Sequence, residues 1–236
     1  MDLIEVSENK NRHPWELSRT KSIINQLEKL NITGNRKILD IGCGDSYFDR
    51  CLISSNPELE IYGVDINLKE EFYEKKIHGL NSFEHIPNIK FDFVIMMDVL
   101  EHIEDDKSFL NDIKSKYLKD DGILFITVPA FMKLFSLHDK ELKHFRRYNH
   151  KMLSELINSC GLEELDWSYF YFSLLIGRLF TMNKTKNLGS WQKPSDSFLT
   201  KSITSVLNID FKVLKALSSV GIHLPGLSLM AVCCKK

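Results

Sequence analysis

Neither sign of charge is in excess: 31 Lys and Arg stand against 32 Asp and Glu, a formal net charge of −1. That balance gives no electrostatic case for nucleic acid as the main partner, so none is expected. Cysteine is scarce and badly spaced for crosslinking. Cys43, Cys51, Cys160, Cys233 and Cys234 make an odd five with no Cys-x-x-Cys pair, which argues against a disulfide framework or a zinc ribbon. A reducing cytoplasm is the compartment expected from that usage. The opening residues Met1-Asp2-Leu3-Ile4-Glu5 are acidic and lack the basic and apolar blocks of a signal peptide. Residues 169–180 are strongly apolar, yet fall short of the roughly 20 residues a membrane span needs. Core burial is their default reading, and peripheral contact with a membrane surface is the sharper alternative, encouraged by Lys184 and Lys186. No internal repeat or low-complexity block interrupts the chain.

What is present reads as alternating strands and helices. A hydrophobic content of 43% over 236 residues is enough to bury the core of one large domain. Residues 15–30 carry Ile23, Ile24, Leu27 and Leu30 on one helical stripe. Lys37-Ile38-Leu39-Asp40-Ile41 is a short apolar run that stops at glycine, and it predicts a buried strand. Further strands are expected at 60–65, 91–97, 122–128, 162–172 and 226–235. Helices are expected at 47–54, between the 91–97 and 122–128 strands, and after Asn149, a plausible cap. Strands alternating with helices imply right-handed crossovers and a largely parallel, doubly wound α/β sheet. Adjacent Cys233 and Cys234 should point to opposite faces of the last strand. One domain is expected over 1–236. Within it, 1–34 form an N-terminal helical lid, and 130–150 and 173–222 a substrate-side loop and a cap insertion. The cap includes a polar stretch at 182–193.

Strand, Gly-x-Gly and helix make a recurring cradle for nucleotide-like ligands, because glycine admits positive φ and close approach and the helix start offers free N–H groups. Here the turn is Asp40-Ile41-Gly42-Cys43-Gly44-Asp45. It lacks the third glycine of the dinucleotide fingerprint, with Tyr47 in that place. Asp40 disfavours a pyrophosphate and suits a ligand that carries an ammonium group. Asp65 ends the next strand, where a carboxylate can accept both ribose hydroxyls.

Three segments, Ile38-Leu-Asp-Ile-Gly-Cys-Gly-Asp45, Ile61-Tyr-Gly-Val-Asp65 and Phe91-Asp-Phe-Val-Ile-Met-Met-Asp-Val-Leu-Glu-His102, resemble the first, second and fourth motifs of class I S-adenosylmethionine-dependent methyltransferases. The likeness covers about residues 12–170. It implies a Rossmann-like, mostly parallel seven-stranded sheet with helices on both faces, and S-adenosylmethionine as cofactor. It also implies that Asp40, Gly42 and Gly44 serve the methionyl part and that Asp65 and Ile66 serve the ribose side. Met97, Asp98 and Val99 then line the methyl-transfer face, which runs on to His102. The family's acidic residue before the adenine-contacting position is missing; Ser82 takes its place, and Phe83 supplies the backbone N–H. Arg19 either pairs with the methionine carboxylate or lies solvated on the first helix, and the two readings weigh equally.

Methyl transfer from a sulfonium chiefly requires alignment, with a base only where the acceptor arrives protonated. Candidate bases are His102, at the carboxyl edge of the 91–97 strand, and His138 or His144 in the next loop. Each could equally pack or cap its own segment. In the same loop Arg146, Arg147 and Tyr148 are expected to grip an acceptor. No bound metal is expected, since His138, Asp139 and His144 lack a diagnostic spacing and no catechol-type carboxylate set is evident. A similar His-Asp…His-x-Arg-Arg-Tyr run in bacterial methyltransferases of glycan pathways implies a small molecule, sugar or lipid-linked glycan precursor as acceptor. The alternatives are a catalytically silent S-adenosylmethionine-binding partner module and, disfavoured by Asp40, an NAD-dependent oxidoreductase.

Overall fold

The computed structural model describes residues 12–181 and 197–236. Residues 1–11 of the expected lid and the polar stretch at 182–193, with Lys184 and Lys186, lie outside them. The strands in chain order are β1 (Lys37–Ile41), β2 (Glu60–Val64), β3 (Phe72–Glu74), β4 (Ile77–Leu80), β5 (Phe91–Met97), β6 (Leu118–Pro129), β7 (Leu162–Phe170) and β8 (Ser228–Lys235). The helices are α1 (Pro14–Lys29), α2 (Tyr47–Ser55), α3 (Asp106–Lys116), α4 (Leu137–Glu141), α5 (His150–Ser159), α6 (Phe172–Thr181) and α7 (Ser197–Ser219).

The strands form one sheet in the order β3-β4-β2-β1-β5-β6-β8-β7. From β4 to β6 the neighbours run parallel, while β3 and β8 are antiparallel to theirs. Apolar residues on both sides of the central strands explain this placement, since a parallel sheet is covered by helices on both faces. Leu39, Val94, Leu124 and Ala231 face α3 and α5 through Leu110, Ile113, Leu153 and Ile157. Ile38, Phe93, Phe125 and Val232 belong to the opposite layer, with Ile23 and Leu27 of α1, Leu52 of α2 and Leu207 and Phe211 of α7.

The sheet has eight strands, one more than expected. The departure is at the β3–β4 hairpin, whose strands are only three and four residues long. Runs that short show no usable periodicity. Their joining residues Lys75 and Lys76 both adopt positive φ, at 48° and 65°, although neither is a residue that announces such a turn. Asn149 does cap α5, its side chain accepting from Met152 N at 2.9 Å. Cys233 is buried and Cys234 only partly so, as their opposite faces require. No helix among the described residues is long and apolar enough to cross a membrane.

α7 is tied into the domain by polar contacts as well as apolar ones. Asn208 accepts from Ser18 of α1 at 3.0 Å, and Asp210 accepts from the backbone N–H groups of Phe172 and Ser173 at 3.1 and 2.8 Å. Asp210 thus caps the start of α6 from another helix. Replacement Asp210→Ala leaves those amides without their acceptor and should lower stability by about 1–2 kcal/mol. Thermal or urea unfolding measures this; an unchanged midpoint would refute the cap.

Candidate active site

Parallel pairing brings three strand ends to one edge. Ile41 is level with Val64 of β2 and Met96 of β5, so the residues that follow each strand gather there. This carboxyl edge is where open α/β sheets hold their ligands. Gly42, at φ +76°, starts the turn after β1 and donates to Val64 O at 2.8 Å. A Cβ at that position would sit 2.7 Å from Val99 Cγ2, so both its φ and its neighbour demand glycine. Gly44, also at positive φ, donates its N–H to Asp65 Oδ2 at 3.0 Å. Asn67 N donates to Asp65 Oδ1 at 2.8 Å. The Asp65 carboxylate is therefore fixed by backbone while each oxygen keeps a further lone pair for a ligand hydroxyl. Beside it Ile66 is 73% exposed, an apolar surface suited to a flat ring. Ser82 caps a 3-10 turn at Phe83–His85, and the Phe83 ring packs edge-on against Phe109 of α3.

Asp40 requires a correction. It was expected to touch the ligand, but it is 0% exposed and lies beneath the turn against Asp49 of α2. Alternation along β1 explains this, because Asp40 shares the side of Ile38, which is buried against α1 and α2. Neither carboxyl finds a donor among the described residues. Burial, reinforced by the neighbouring acid, pushes the Asp40 pKa well up, and burial takes that of Asp49 up to about 6. The two buried acids therefore coexist with a proton between them. The folded protein holds that proton where the unfolded chain has lost it, so stability falls as pH rises from about 4 through 6. Asp49→Asn supplies a neutral amide donor to Asp40 and should flatten that slope. At pH 8 it should be more stable than the parent by on the order of 2 kcal/mol. Urea denaturation at pH 4, 6 and 8 decides this, and parallel pH curves for the two proteins would sink it.

On the β5 side Asp98 adopts φ +56° and pairs with Arg19 Nη1 at 2.6 Å. Arg19 Nη2 donates to Thr127 Oγ1 at 2.9 Å, and Thr127 Oγ1 in turn donates to Asp98 Oδ1 at 3.2 Å. Arg19 is buried, so the solvated reading of this residue is ruled out. Its Nε has no hydrogen-bond partner among the described residues. Met97 is buried and Val99 half-buried at the strand's exit.

A 3-10 turn at Leu100–His102 follows, and residues 142–148 fold back onto it. Phe145 N donates to Glu101 O at 2.7 Å. Tyr148 Oη donates to Asp106 Oδ2 at 2.7 Å, and Arg146 pairs with Asp106 at 2.6 Å and with Glu104 O at 2.6 Å. Two expected acceptor-binding residues are corrected by this geometry. Tyr148 is 1% exposed, wedged into the core. Arg147 is buried with its Nε on Asp139 Oδ1 at 2.6 Å. Both hold the loop, and only Arg146 remains partly open to solvent, still in its ion pair. Asp139, also buried, accepts from Ser136 N at 2.8 Å, Ser136 Oγ at 3.0 Å and the His144 ring at 3.1 Å. Burial alone would raise its pKa; the bonds from His144 and Arg147 and the Arg147 charge outweigh that and hold it well below the usual carboxylate range.

Of the three expected histidines, two meet. The rings of His102 and His144 stand edge to face with centroids 4.5 Å apart. His138 lies on α4 outside this group. Glu101, not singled out from sequence, is 0% exposed and completes the cluster, its two carboxylate oxygens without a donor among the described residues. Burial first, and Asp98 second, push its pKa well up.

The methyltransferase-domain family matches residues 12–168. A ubiquinone biosynthesis O-methyltransferase of Actinobacillus pleuropneumoniae is 24% identical over 165 residues, 58% of this chain and 69% of the relative. Among solved structures, a SAM dependent methyltransferase from Archaeoglobus fulgidus superposes with a TM-score of 0.53 at 20% identity, covering 92% of this chain and 94% of that one. Magnesium protoporphyrin IX methyltransferase from Synechocystis, with SAH bound, gives 0.56 at 13%, covering 94% and 84%. At such identities these likenesses speak for the fold.

Proposed function

The chain belongs to the methyltransferase-domain family, and from that footing we propose that it methylates a hydroxyl group of a small molecule. S-adenosylmethionine is the methyl donor. The observation that carries the donor site is the backbone-fixed Asp65 carboxylate facing a turn whose Gly42 cannot bear a Cβ. The residues fit the cofactor: Asp65 for ribose hydroxyls, Ile66 for an apolar ring face, the Gly42–Gly44 turn for close backbone approach. Arg19, buried and paired with Asp98, fixes a positive charge at the end of β5 that suits an anionic group of the cofactor.

The cofactor supplies an electrophilic methyl on a sulfonium. What the chain must add is alignment and a route for the acceptor's proton as the new O–CH3 bond forms. That proton leaves at Glu101, His102 and His144, which stand at the end of β5, beside the turn after β1. The names of the relatives, ubiquinone biosynthesis O-methyltransferases, support oxygen as the acceptor atom. Residues 130–150 close the acceptor side and α1 the donor side. A sugar or lipid-linked hydroxyl is the narrower form of this reading. Exposed Ile176 and Leu179 of α6 and Phe198 of α7 favour an acceptor or neighbouring surface with apolar character.

Calorimetric titration with S-adenosylmethionine should give one site. Asp65→Ala should weaken it at least about tenfold, the loss expected for hydrogen bonds to a charged group. Equal affinities in the two proteins would contradict the donor site. Transfer of labelled methyl to a panel of phenolic and sugar hydroxyls should then identify the acceptor class; donor binding with no turnover of any acceptor would favour a silent module.

A further inference from the structure

We infer that Thr127 is a positioning residue for the amino-acid end of the cofactor, holding Asp98 and Arg19 as a matched pair of charges for that end's ammonium and carboxylate. The inference rests on the proposed donor site and adds to it a residue that acts through its neighbours. Thr127 is the polar member of an apolar run. It lies in β6 among Leu124, Phe125, Ile126 and Val128, all buried, and is itself 0% exposed. Alternation along the strand gives it the side of Phe125, in the layer covered by α1 and α7. A valine would fill that place with no polar group to satisfy, whereas a buried hydroxyl is costly unless it is bonded. The Thr127 hydroxyl is bonded twice. It accepts from Arg19 Nη2 at 2.9 Å and donates to Asp98 Oδ1 at 3.2 Å. The Thr127 carbonyl oxygen also accepts from Asp98 N at 2.9 Å, where parallel pairing sets Thr127 level with Met97.

One residue of β6 therefore grips Asp98 by backbone and side chain together. That grip matters because Asp98 stands at φ +56°, a conformation that costs an L-residue energy and persists where its surroundings hold it. The ion pair from Arg19 Nη1 to Asp98 Oδ2 at 2.6 Å closes a ring of three side chains. The ring is uneven in exposure: Arg19 and Thr127 are buried, while the Asp98 side chain is 30% exposed. A lone cation or anion at its rim is attracted by one member of the ion pair and repelled by the other. A group that carries both charges can set each against its opposite, and an α-amino acid is such a group. The place agrees with the charge. In the strand order β2-β1-β5, Asp65 follows β2 and Asp98 follows β5, one on each side of the Gly42–Gly44 turn. A ligand whose nucleoside lies by Asp65 and which crosses that turn brings its other end to Asp98. Arg19 comes from α1, Asp98 from the exit of β5, and Thr127 is the strand residue that ties the two together.

The test uses ligands that differ at one end. S-adenosylmethionine and S-adenosylhomocysteine carry the amino-acid group; 5′-methylthioadenosine keeps the nucleoside and the thioether but lacks that group. Each is titrated calorimetrically into the full chain. Thr127→Val, which keeps the shape and removes the hydroxyl, should weaken both amino-acid ligands about tenfold, the loss expected for hydrogen bonds to charged groups, and leave 5′-methylthioadenosine unchanged. Thr127→Ser restores the hydroxyl and should bind all three as the parent does. Asp98→Asn, the near-isosteric second variant, should show the same split as Thr127→Val and carries the test if that protein does not fold. Melting midpoints report the folding of each variant. Equal losses for S-adenosylhomocysteine and 5′-methylthioadenosine in a folded variant would mark a merely structural role and overturn the inference. So would an unchanged S-adenosylhomocysteine affinity in Thr127→Val, or a Thr127→Ser protein as weak as Thr127→Val. A parent that binds none of the three ligands removes the proposed donor site, and this inference with it.

Discussion

Gly42 has room for a hydrogen and nothing larger. Val99 Cγ2 occupies the place a side chain would take, and the glycine's own φ of +76° is one that other residues adopt at a cost. This close approach is where the exit of β1 and the exit of β5 press together, and most of the site depends on it. It turns the chain so that the next glycine offers its N–H to Asp65, tying a third strand end to the same spot. It also seals Asp40 and Asp49 beneath the turn, away from solvent. The contact that makes a cradle above thus creates an electrostatic difficulty below, which a retained proton relieves.

The loop at 142–148 follows a similar division. Its charged and aromatic residues read as a surface for gripping a ligand, yet most of their bonding capacity is turned inward. Tyr148 and Arg146 both close on Asp106, and Arg147 closes on Asp139. The loop is thereby held against the turn that carries Glu101 and His102. Its remaining chemistry is concentrated in one imidazole, that of His144. Rigid support and reactive surface are separated residue by residue, as functional sites built on loops require.

The parts that were legible in the sequence are those governed by short-range rules. The β1 run, the Gly-x-Gly turn, the Asn149 cap and the alternation at Cys233 and Cys234 each follow from local periodicity or backbone freedom. The resemblance of three motifs to methyltransferases drew the donor side together, because those motifs end on strands that pair with one another. What was not legible depended on which way a side chain turns or on contacts between distant segments. Asp40 sits within the motif, but the phase of a five-residue strand decides that it faces inward. In sequence Arg146, Arg147 and Tyr148 are equivalent candidates; only the burial of Arg147 and Tyr148, beside a half-buried Arg146, separates anchor from surface. Glu101 stands next to His102 and gave no signal, since its burial depends on a loop some forty residues away that bonds back to its turn through Phe145 N. The β3–β4 hairpin was invisible because its turn relies on two lysines at positive φ.

The two places where acids are buried without donors differ in the remedy at hand. Asp40 faces another carboxyl, so the pair can share one proton and needs nothing from outside. Glu101 has no such twin. Its near neighbours Asp98 and Asp139 are already committed, to Arg19 and to Arg147. Beside it stand the imidazoles of His102 and His144, the latter bonded to Asp139 through Nδ1 at 3.1 Å. Burial first, and the Asp98 charge second, raise its pKa, so the neutral acid is the form this position favours. The two also differ in place: Asp40 and Asp49 lie under the turn after β1, while Glu101 lies on the turn after β5, in the proposed proton route. Unrelieved polar strain is tolerated at sites of function more readily than in a core, and of the two acid sites only this one borders two imidazoles.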